Sequence, residues 1–333
     1  MTKRVYIIAE AGVNHNGSLQ LAYELCDKAK EAGVDAVKFQ TWVTERIICK
    51  DTEMADYQKE NLNSDDSQFS MLKKLELSYG EFAQVKDYCD KIGIEFLSTG
   101  DTPEDIDFLV GLGMDKIKLG SGDVTNIPLL RYVGQLGLPV ILSTGMCRMT
   151  DVALAYETLR QAGANDITIL HCTTNYPCPM DEVNLAAMDT LKQAFKCPVG
   201  YSDHTMGVEV PVAAVALGAE VIEKHFTLDR NMEGPDHKAS LEPSELKDMV
   251  QKIRNIEMAL GDGIKRPNRS EEAVSRVVLK SIVAKRQISA GELLSEDNLT
   301  VKRSGTGIPA YCWDLVCGTE ASRDYNPDDP IAV

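Results

Sequence analysis

The chain has no apolar run approaching the roughly 18 residues that a bilayer span requires, so a membrane partner is not expected. It also lacks any CxxC pair or zinc-finger spacing among its nine cysteines, an odd number. Thiols scattered in this way point to a reducing, cytoplasmic setting rather than to a disulfide framework. The N-terminal MTKRVYIIAEAG begins basic, but its apolar run is short and broken by Glu10, unlike the core of a secretory signal, and it reads as a first strand. Positive charge is scarce: 51 acidic against 35 basic residues leave a net charge of −16. That balance opposes nonspecific nucleic-acid binding, and it means that an anionic ligand needs a local basic pocket.

With 333 residues, 44% hydrophobic and 26% charged, the chain can bury one large core or a large and a small one. Short apolar runs recur: VYIIA (5–9), VDAVKF (34–39), IEFLS (94–98), KIKL (116–119), PVILS (139–143), ITILH (167–171), PVGYS (198–202) and EVIEKH (220–225). Between them lie stretches such as LQLAYELCDKAKEAG and DVALAYETLRQAGA, whose apolar spacing suits amphipathic helices. Such alternation predicts a parallel α/β fold, and eight units in about 250 residues suit a TIM (β/α)8 barrel. The second unit is long, and residues 41–78, with the polar run NLNSDDSQ, are expected to form an active-site loop. After IKRPNRSEEAVSR the rhythm changes to short strands and glycine turns in SIVAKRQISAGELLSEDNLTVKR. The expected organisation is a barrel over residues 1–265, a linker over 266–280 and a small C-terminal domain over 281–333.

Barrel enzymes carry their chemistry at the C-terminal ends of the strands. The groups found there are Glu10; Lys38 and Gln40; Ser98 and Thr99; Lys118 and Ser121; Ser143 and Thr144; His171 and Thr173; Ser202, Asp203 and His204; and Glu223 and His225. Every strand end is polar, a ring that chance explains poorly. His204 and His225 follow strands seven and eight, where two imidazoles could share a divalent metal, although each alone reads equally as a buried, hydrogen-bonded histidine. Lys38 and Lys118, with the hydroxyls of Thr99, Ser121, Ser143 and Ser202, could cradle phosphate and carboxylate, against the alternative of solvated rim charges. LGSGD (119–123) and STGM (143–146) put flexible backbone where amides can approach an oxyanion. GPDHKASLEP (234–243) either hangs Asp236 and His237 over the barrel mouth or forms a plain turn.

In their order and over nearly the full chain, IIAEAGVNHNGS, VKFQT, KLGSGD, ILSTGM, LHCTTNYPCP, GYSDHT, VIEKHFTLDRNMEGPDHKASLEP and VAKRQISAGELLSEDNLTVKRSGTG resemble the motifs of the sialic acid synthases. That family makes N-acetylneuraminate and its relatives legionaminate and pseudaminate. The resemblance implies a TIM barrel followed by an antifreeze-like (SAF) domain. It implies that His204 and His225 hold a divalent metal, manganese first and magnesium or cobalt as alternatives, which also binds the sugar aldehyde. Lys38, Thr99, Lys118, Ser121, Ser143 and Ser202 match positions that grip phosphoenolpyruvate, while Glu10, Gln40, Asp123, Tyr176 and Asp236 match positions around the acylamino sugar. Arg303, in VKRSGTG, matches an arginine that reaches into the partner's barrel in a homodimer with a swapped C-terminal domain. Two departures stand out: the family often has KRPGNG where Ser304 and Thr306 occur here, and Thr174 stands where some members carry an Asn beside phosphate.

The implied reaction joins C3 of phosphoenolpyruvate to the open-chain aldehyde of N-acetylmannosamine or 2,4-diacetamido-2,4,6-trideoxymannose, adds water at C2 and expels phosphate by C–O cleavage. Glu10 or Glu223 would handle a proton, with Lys118 as the third catalytic candidate. On this reading VIEKH (221–225) ends in charge because it faces a metal and two anions. GPDHKASLEP with HCTTNYP resembles legionaminate and animal-type members more than some bacterial neuraminate synthases. The rival readings are another phosphoenolpyruvate-dependent 3-deoxy-sugar acid synthase, a Schiff-base aldolase using Lys118, and a carbohydrate-binding protein that uses its C-terminal domain.

Overall fold

Each apolar run forms a strand, and the helices between them return the chain to the same edge, so every neighbouring pair is parallel. The strands are β1 (Tyr6–Gly12), β2 (Ala36–Thr41), β3 (Glu95–Gly100), β4 (Ile117–Leu119), β5 (Val140–Ser143), β6 (Ile167–Cys172), β7 (Val199–Asp203) and β8 (Val221–His225). They pair in sequence order into a closed barrel in this computed structural model, which describes residues 4–62 and 66–332. Closure is made by β1, whose Ile8 lies opposite Ala36 of β2 on one side and Glu223 of β8 on the other. The expected α/β barrel is therefore what the chain forms.

The helices owe their ends to local signals. Ser18 caps the helix Leu19–Ala32 by accepting from the Leu21 amide, and Gly33 ends it at φ 83°. Its buried residues Ala22, Leu25, Cys26, Ala29 and Ala32 recur at helical spacing and pack on the barrel. Thr102 and Asp105 form a capping box with Pro103 at the start of Pro103–Gly111. Between β7 and β8 the approach is close enough that a Cβ on Gly200 would lie 2.2 Å from the Val221 carbonyl oxygen, so Gly200→Ala would force the two strands apart.

The long segment after β2 holds three short helices, Thr44–Ile47, Asp56–Leu62 and Gln68–Leu75. They fold over a separate apolar cluster of Val13, Trp42, Met54, Met71 and Leu75. Residues 63–65 of the run NLNSDDSQ lie outside the described residues.

The chain divides into two compact units between Asp262 and Gly263. The stretch read as a linker contains a helix, Arg269–Val278, opened by a capping box of Asn268 and Glu271. The second unit pairs β9 (Ser281–Ala284) and β10 (Leu299–Lys302) in antiparallel fashion and has its own core, including Ile282, Ile288, Leu299, Tyr325 and Ile331. Among the described residues no helix is long and apolar enough to cross a membrane.

Candidate active site

A cavity of about 220 Å³ opens at the C-terminal ends of the strands. Of the residues expected to act, it is lined by Glu10, Lys38, Gln40, Thr99, Lys118, Ser121, Asp123, Ser143, Tyr176, Ser202, His204, Glu223 and His225. Asp236 is also buried, with Oδ2 3.7 Å from His225 Nδ1. Arg303 belongs to the second unit, exposed just after β10, where the Ser304 hydroxyl donates to the Thr306 carbonyl and shapes the loop. Larger hollows of about 330 and 440 Å³ occur elsewhere, but neither gathers lysine, carboxylate and imidazole together.

Lysines and carboxylates alternate across the cavity floor. Lys38 Nζ lies 2.6 Å from Glu10 Oε2 and 4.0 Å from Glu223 Oε2, and donates to Thr99 Oγ1 at 3.2 Å. Lys118 Nζ donates to Ser143 Oγ at 2.9 Å and lies 3.4 Å from Glu223 Oε1, which also accepts from Ser202 Oγ at 3.3 Å. All four charged groups are at least 96% buried, so their partners decide their charge. Burial alone would lower Lys38, but Glu10 and Glu223 outweigh it and raise its pKa. Burial would raise Glu223, yet Lys118 and Lys38 pull it down. Burial lowers Lys118, only partly offset by Glu223, and burial raises Glu10 despite Lys38. Gln40 Nε2 donates to Glu10 Oε1 at 3.0 Å.

The backbone after β5 makes room for an anion beside these lysines. Ser121 Oγ accepts from the Gly145 amide at 2.9 Å. A Cβ on Gly145 would fall 2.1 Å from Thr174 Oγ1 and 3.0 Å from Ser121 Oγ, so only glycine keeps this corner open.

The two imidazoles stand with ring centroids 5.3 Å apart, and Tyr176 packs against both, at 4.1 Å from His204 and 5.4 Å from His225. His204 Nδ1 donates to the Thr173 carbonyl at 2.7 Å, which leaves Nε2 as the acceptor nitrogen. His225 Nδ1 is buried without a hydrogen-bond partner. Burial and the neighbouring cations hold His225 well below the ordinary imidazole range, so it is neutral and has a lone pair to offer. Burial would lower His204 too, but Cys172 Sγ, 3.7 Å from Nδ1, and the Thr173 carbonyl outweigh it, so protons compete for that ring. These residues fit a divalent cation in this limited sense: the protein offers two imidazoles. No group of three or more His, Cys, Asp or Glu assembles as a ligand shell among the described residues, so an ion held by these two imidazoles would need substrate oxygens or water to complete its coordination.

Several strand-end residues face away from the cavity, because side chains alternate along a strand. Ser98 bonds Thr41 Oγ1 at 2.7 Å, His171 Nε2 bonds the Val183 carbonyl at 2.9 Å, and Thr173 donates to the Glu182 carbonyl at 3.0 Å. His237 likewise bonds Thr227 Oγ1 at 2.6 Å and Asn16 Oδ1 at 3.1 Å instead of hanging over the mouth. VIEKH does not face the site with all its charges either: Lys224 pairs with Asp203 at 2.5 Å, both fully buried outside the cavity lining. Conversely, Asp101, Met146 and Cys172 line the cavity unforeseen. Cys172 was legible by alternation, as the residue between His171 and Thr173, and Asp101 as the carboxylate ending STGD.

The residues matching the NeuB family are 25–265, and those matching the SAF domain are 280–332. N,N'-diacetyllegionaminic acid synthase of Campylobacter jejuni is 48% identical over 99% of this chain and 99% of its own length. The protein of the same name from Legionella pneumophila is 47% identical over 96% and 91%. Among solved structures, N-acetylneuraminic acid synthetase from Leptospira borgpetersenii is 35% identical with a TM-score of 0.72, covering 82% of this chain and 90% of that one. With a family match across most of the barrel and near-half identity along the full length, the chain belongs to the NeuB family and carries a C-terminal SAF domain.

Proposed function

We infer that this chain is a nonulosonic acid synthase that joins phosphoenolpyruvate to 2,4-diacetamido-2,4,6-trideoxymannose and releases N,N'-diacetyllegionaminate and phosphate. The observation that carries the reading is one cavity in which two buried lysines and four hydroxyls meet two imidazoles, in a chain whose relatives at 47% and 48% identity bear that synthase's name. Lys38 and Lys118, with Thr99, Ser121, Ser143 and Ser202, take the phosphate and carboxylate of phosphoenolpyruvate through charge-assisted hydrogen bonds. Gln40, Asp123, Tyr176 and Asp236 orient the acylamino sugar so that its aldehyde carbon meets C3 of the enol. When bound at His204 and His225, a divalent ion, manganese on this reading, supplies Lewis-acid polarisation of that aldehyde. Glu223, held ionised by its two lysines, keeps them in place. Glu10, whose burial favours the protonated form, is assigned the proton transfer that accompanies water addition at C2 and loss of phosphate.

The test is phosphate release from phosphoenolpyruvate with each sugar side by side. A higher kcat/KM for the diacetamido sugar than for N-acetylmannosamine is expected; the reverse order overturns the sugar assignment, and no release with either overturns the synthase. Lys118, lowered by burial, is the residue that an imine mechanism would use. Borohydride treatment with substrate present should leave the enzyme active, and trapping at Lys118 would favour the aldolase.

The assembly assigned here is a homodimer in which Arg303 of the partner subunit completes the sugar site, supported by the resemblance of VKRSGTG. Arg303→Ala and His225→Ala, each inactive alone, should regain activity when mixed under subunit exchange, up to one working site in two. If heterodimers form and restore nothing, the swap is refuted.

A further inference from the structure

His204 and His225 reach the cavity from two different strand ends, and a pair of ligands is useful only if its spacing is fixed. Each is flanked by a charged residue on the opposite face of the barrel wall: Asp203 precedes His204, and Lys224 precedes His225. Asp203 and Lys224 lie opposite each other in the β7–β8 register, and both are 0% exposed. Lys224 Nζ meets Asp203 Oδ2 at 2.5 Å and also donates to the Thr205 carbonyl. Asp203 in turn closes a turn over His204: Oδ1 accepts from the Thr205 amide at 3.0 Å, and Oδ2 from the Thr205 hydroxyl at 3.1 Å.

His204 is thus the middle residue of a three-residue loop whose two ends are both tied to the ammonium next to His225. Further contacts hold it from other sides: the Thr173 carbonyl, Cys172 Sγ and the Tyr176 ring against its imidazole, and the Cys178 amide donating to its own carbonyl at 2.8 Å. Behind the wall, the link between the two histidines runs through Lys224; on the cavity side Tyr176 packs on both rings and Ser202 of β7 donates to Glu223 of β8.

A fully buried ion pair is a poor source of stability, because desolvating both charges offsets much of their attraction. Such a pair is better explained by what it fixes. We propose that Asp203 and Lys224 are positioning residues that set the spacing and orientation of His204 and His225 from behind the barrel wall, and so set the affinity of the site for a divalent cation. The proposal rests on the assignment of those two histidines as ligands. Neither Asp203 nor Lys224 touches substrate or ion. They act as outer partners of the ligands, a role in which substitution commonly costs about 10- to 100-fold in metal affinity.

The experiment measures Mn2+ binding to the full chain by electron paramagnetic resonance and calorimetry, without substrates or turnover. Asp203→Asn is isosteric and keeps the acceptor for the Thr205 amide; Asp203→Asn with Lys224→Met leaves no unpaired buried charge, so at least one of these variants is expected to fold. The dissociation constant for Mn2+ should rise about tenfold or more in the folded variants, while phosphoenolpyruvate affinity measured by calorimetry changes less than threefold. A folded variant that binds Mn2+ within threefold of the parent overturns the proposal, as does a variant that loses both ligands equally. His225→Ala separates the two levels of the argument. If it abolishes Mn2+ binding and the pair variants do not weaken it, only the positioning role fails; if Mn2+ binding survives His225→Ala, the ligand assignment fails and the positioning role with it.

Discussion

Lys118→Met separates what a buried lysine does for the fold from what it does for an anionic ligand. The ammonium contacts Ser143 Oγ at 2.9 Å and Glu223 Oε1 at 3.4 Å inside a cavity where it is 2% exposed. Removing it leaves Glu223 with Lys38 at 4.0 Å as its remaining cation, and breaking a buried pair from one side costs about 3–5 kcal/mol. Because one cation remains, the lower end applies, about 3 kcal/mol, or a fall in Tm of about 6–12 °C. A charge-assisted hydrogen bond to a bound anion is worth about 1.5–3 kcal/mol, and at 1.36 kcal/mol per decade its loss weakens phosphoenolpyruvate binding about 10- to 150-fold. The double variant Lys118→Met with Glu223→Gln then divides the two effects: the melting temperature should recover, since no unpaired charge is left, but phosphoenolpyruvate affinity should not. Differential scanning calorimetry and titration calorimetry read the two quantities on the same sample. The reasoning is refuted if the double variant regains the ligand, or if the single variant loses sugar affinity as much as phosphoenolpyruvate affinity.

His204→Ala and His225→Ala should each lower kcat by more than about 100-fold while leaving far-ultraviolet circular dichroism unchanged; near-normal turnover of either without added metal contradicts the ligand assignment. Asp101 is raised to about 8 by burial, with Asp123 adding to it, so the folded protein keeps a proton that the unfolded chain gives up near pH 4. The stabilisation that this proton gives is present below pH 4 and lost as pH rises through 8. Asp101→Asn should therefore melt above the parent at pH 8 but level with it at pH 4, and an equal difference at both values counts against the buried acid.

Most of the barrel was readable from the sequence because its strands are short apolar runs bounded by helix signals that act locally. ITILH became β6 within a residue of each end and VYIIA became the start of β1, which runs three residues further to Gly12, and the capping residues Ser18 and Thr102 mark helix starts by their own hydrogen bonds. The site was less legible because side-chain direction has a period of two, so an error of one residue moves a group to the other side of the wall. His171 and Thr173 drew attention as chemically capable residues, yet Cys172 between them is the one that reaches the cavity. Segment 266–280, read as a linker from its polarity, holds a helix opened by a capping box at Asn268 and Glu271, with no buried residue; polarity marks exposure and does not distinguish helix from coil.

The acidic balance of the whole chain is consistent with anion binding, since the cavity solves the problem locally and incompletely. Lys38 and Lys118 are each already met by a glutamate, so within the floor the positive and negative side chains cancel. A ligand bringing a phosphate and a carboxylate therefore adds uncompensated negative charge beside side chains that are themselves buried, where such charge is expensive. Two responses are open to these residues in the proposed reading. Glu10 can hold a proton, which its burial already favours, and the neutral imidazole of His225 can share a cation with His204 instead of accepting a proton. The first removes a negative charge beside Lys38, and the second adds a positive one at the imidazoles. The lysines and the imidazoles are thus coupled through charge: on the proposed reading, an anion at the lysines strengthens proton binding at Glu10 and cation binding at the imidazoles, and the proposed chemistry needs both.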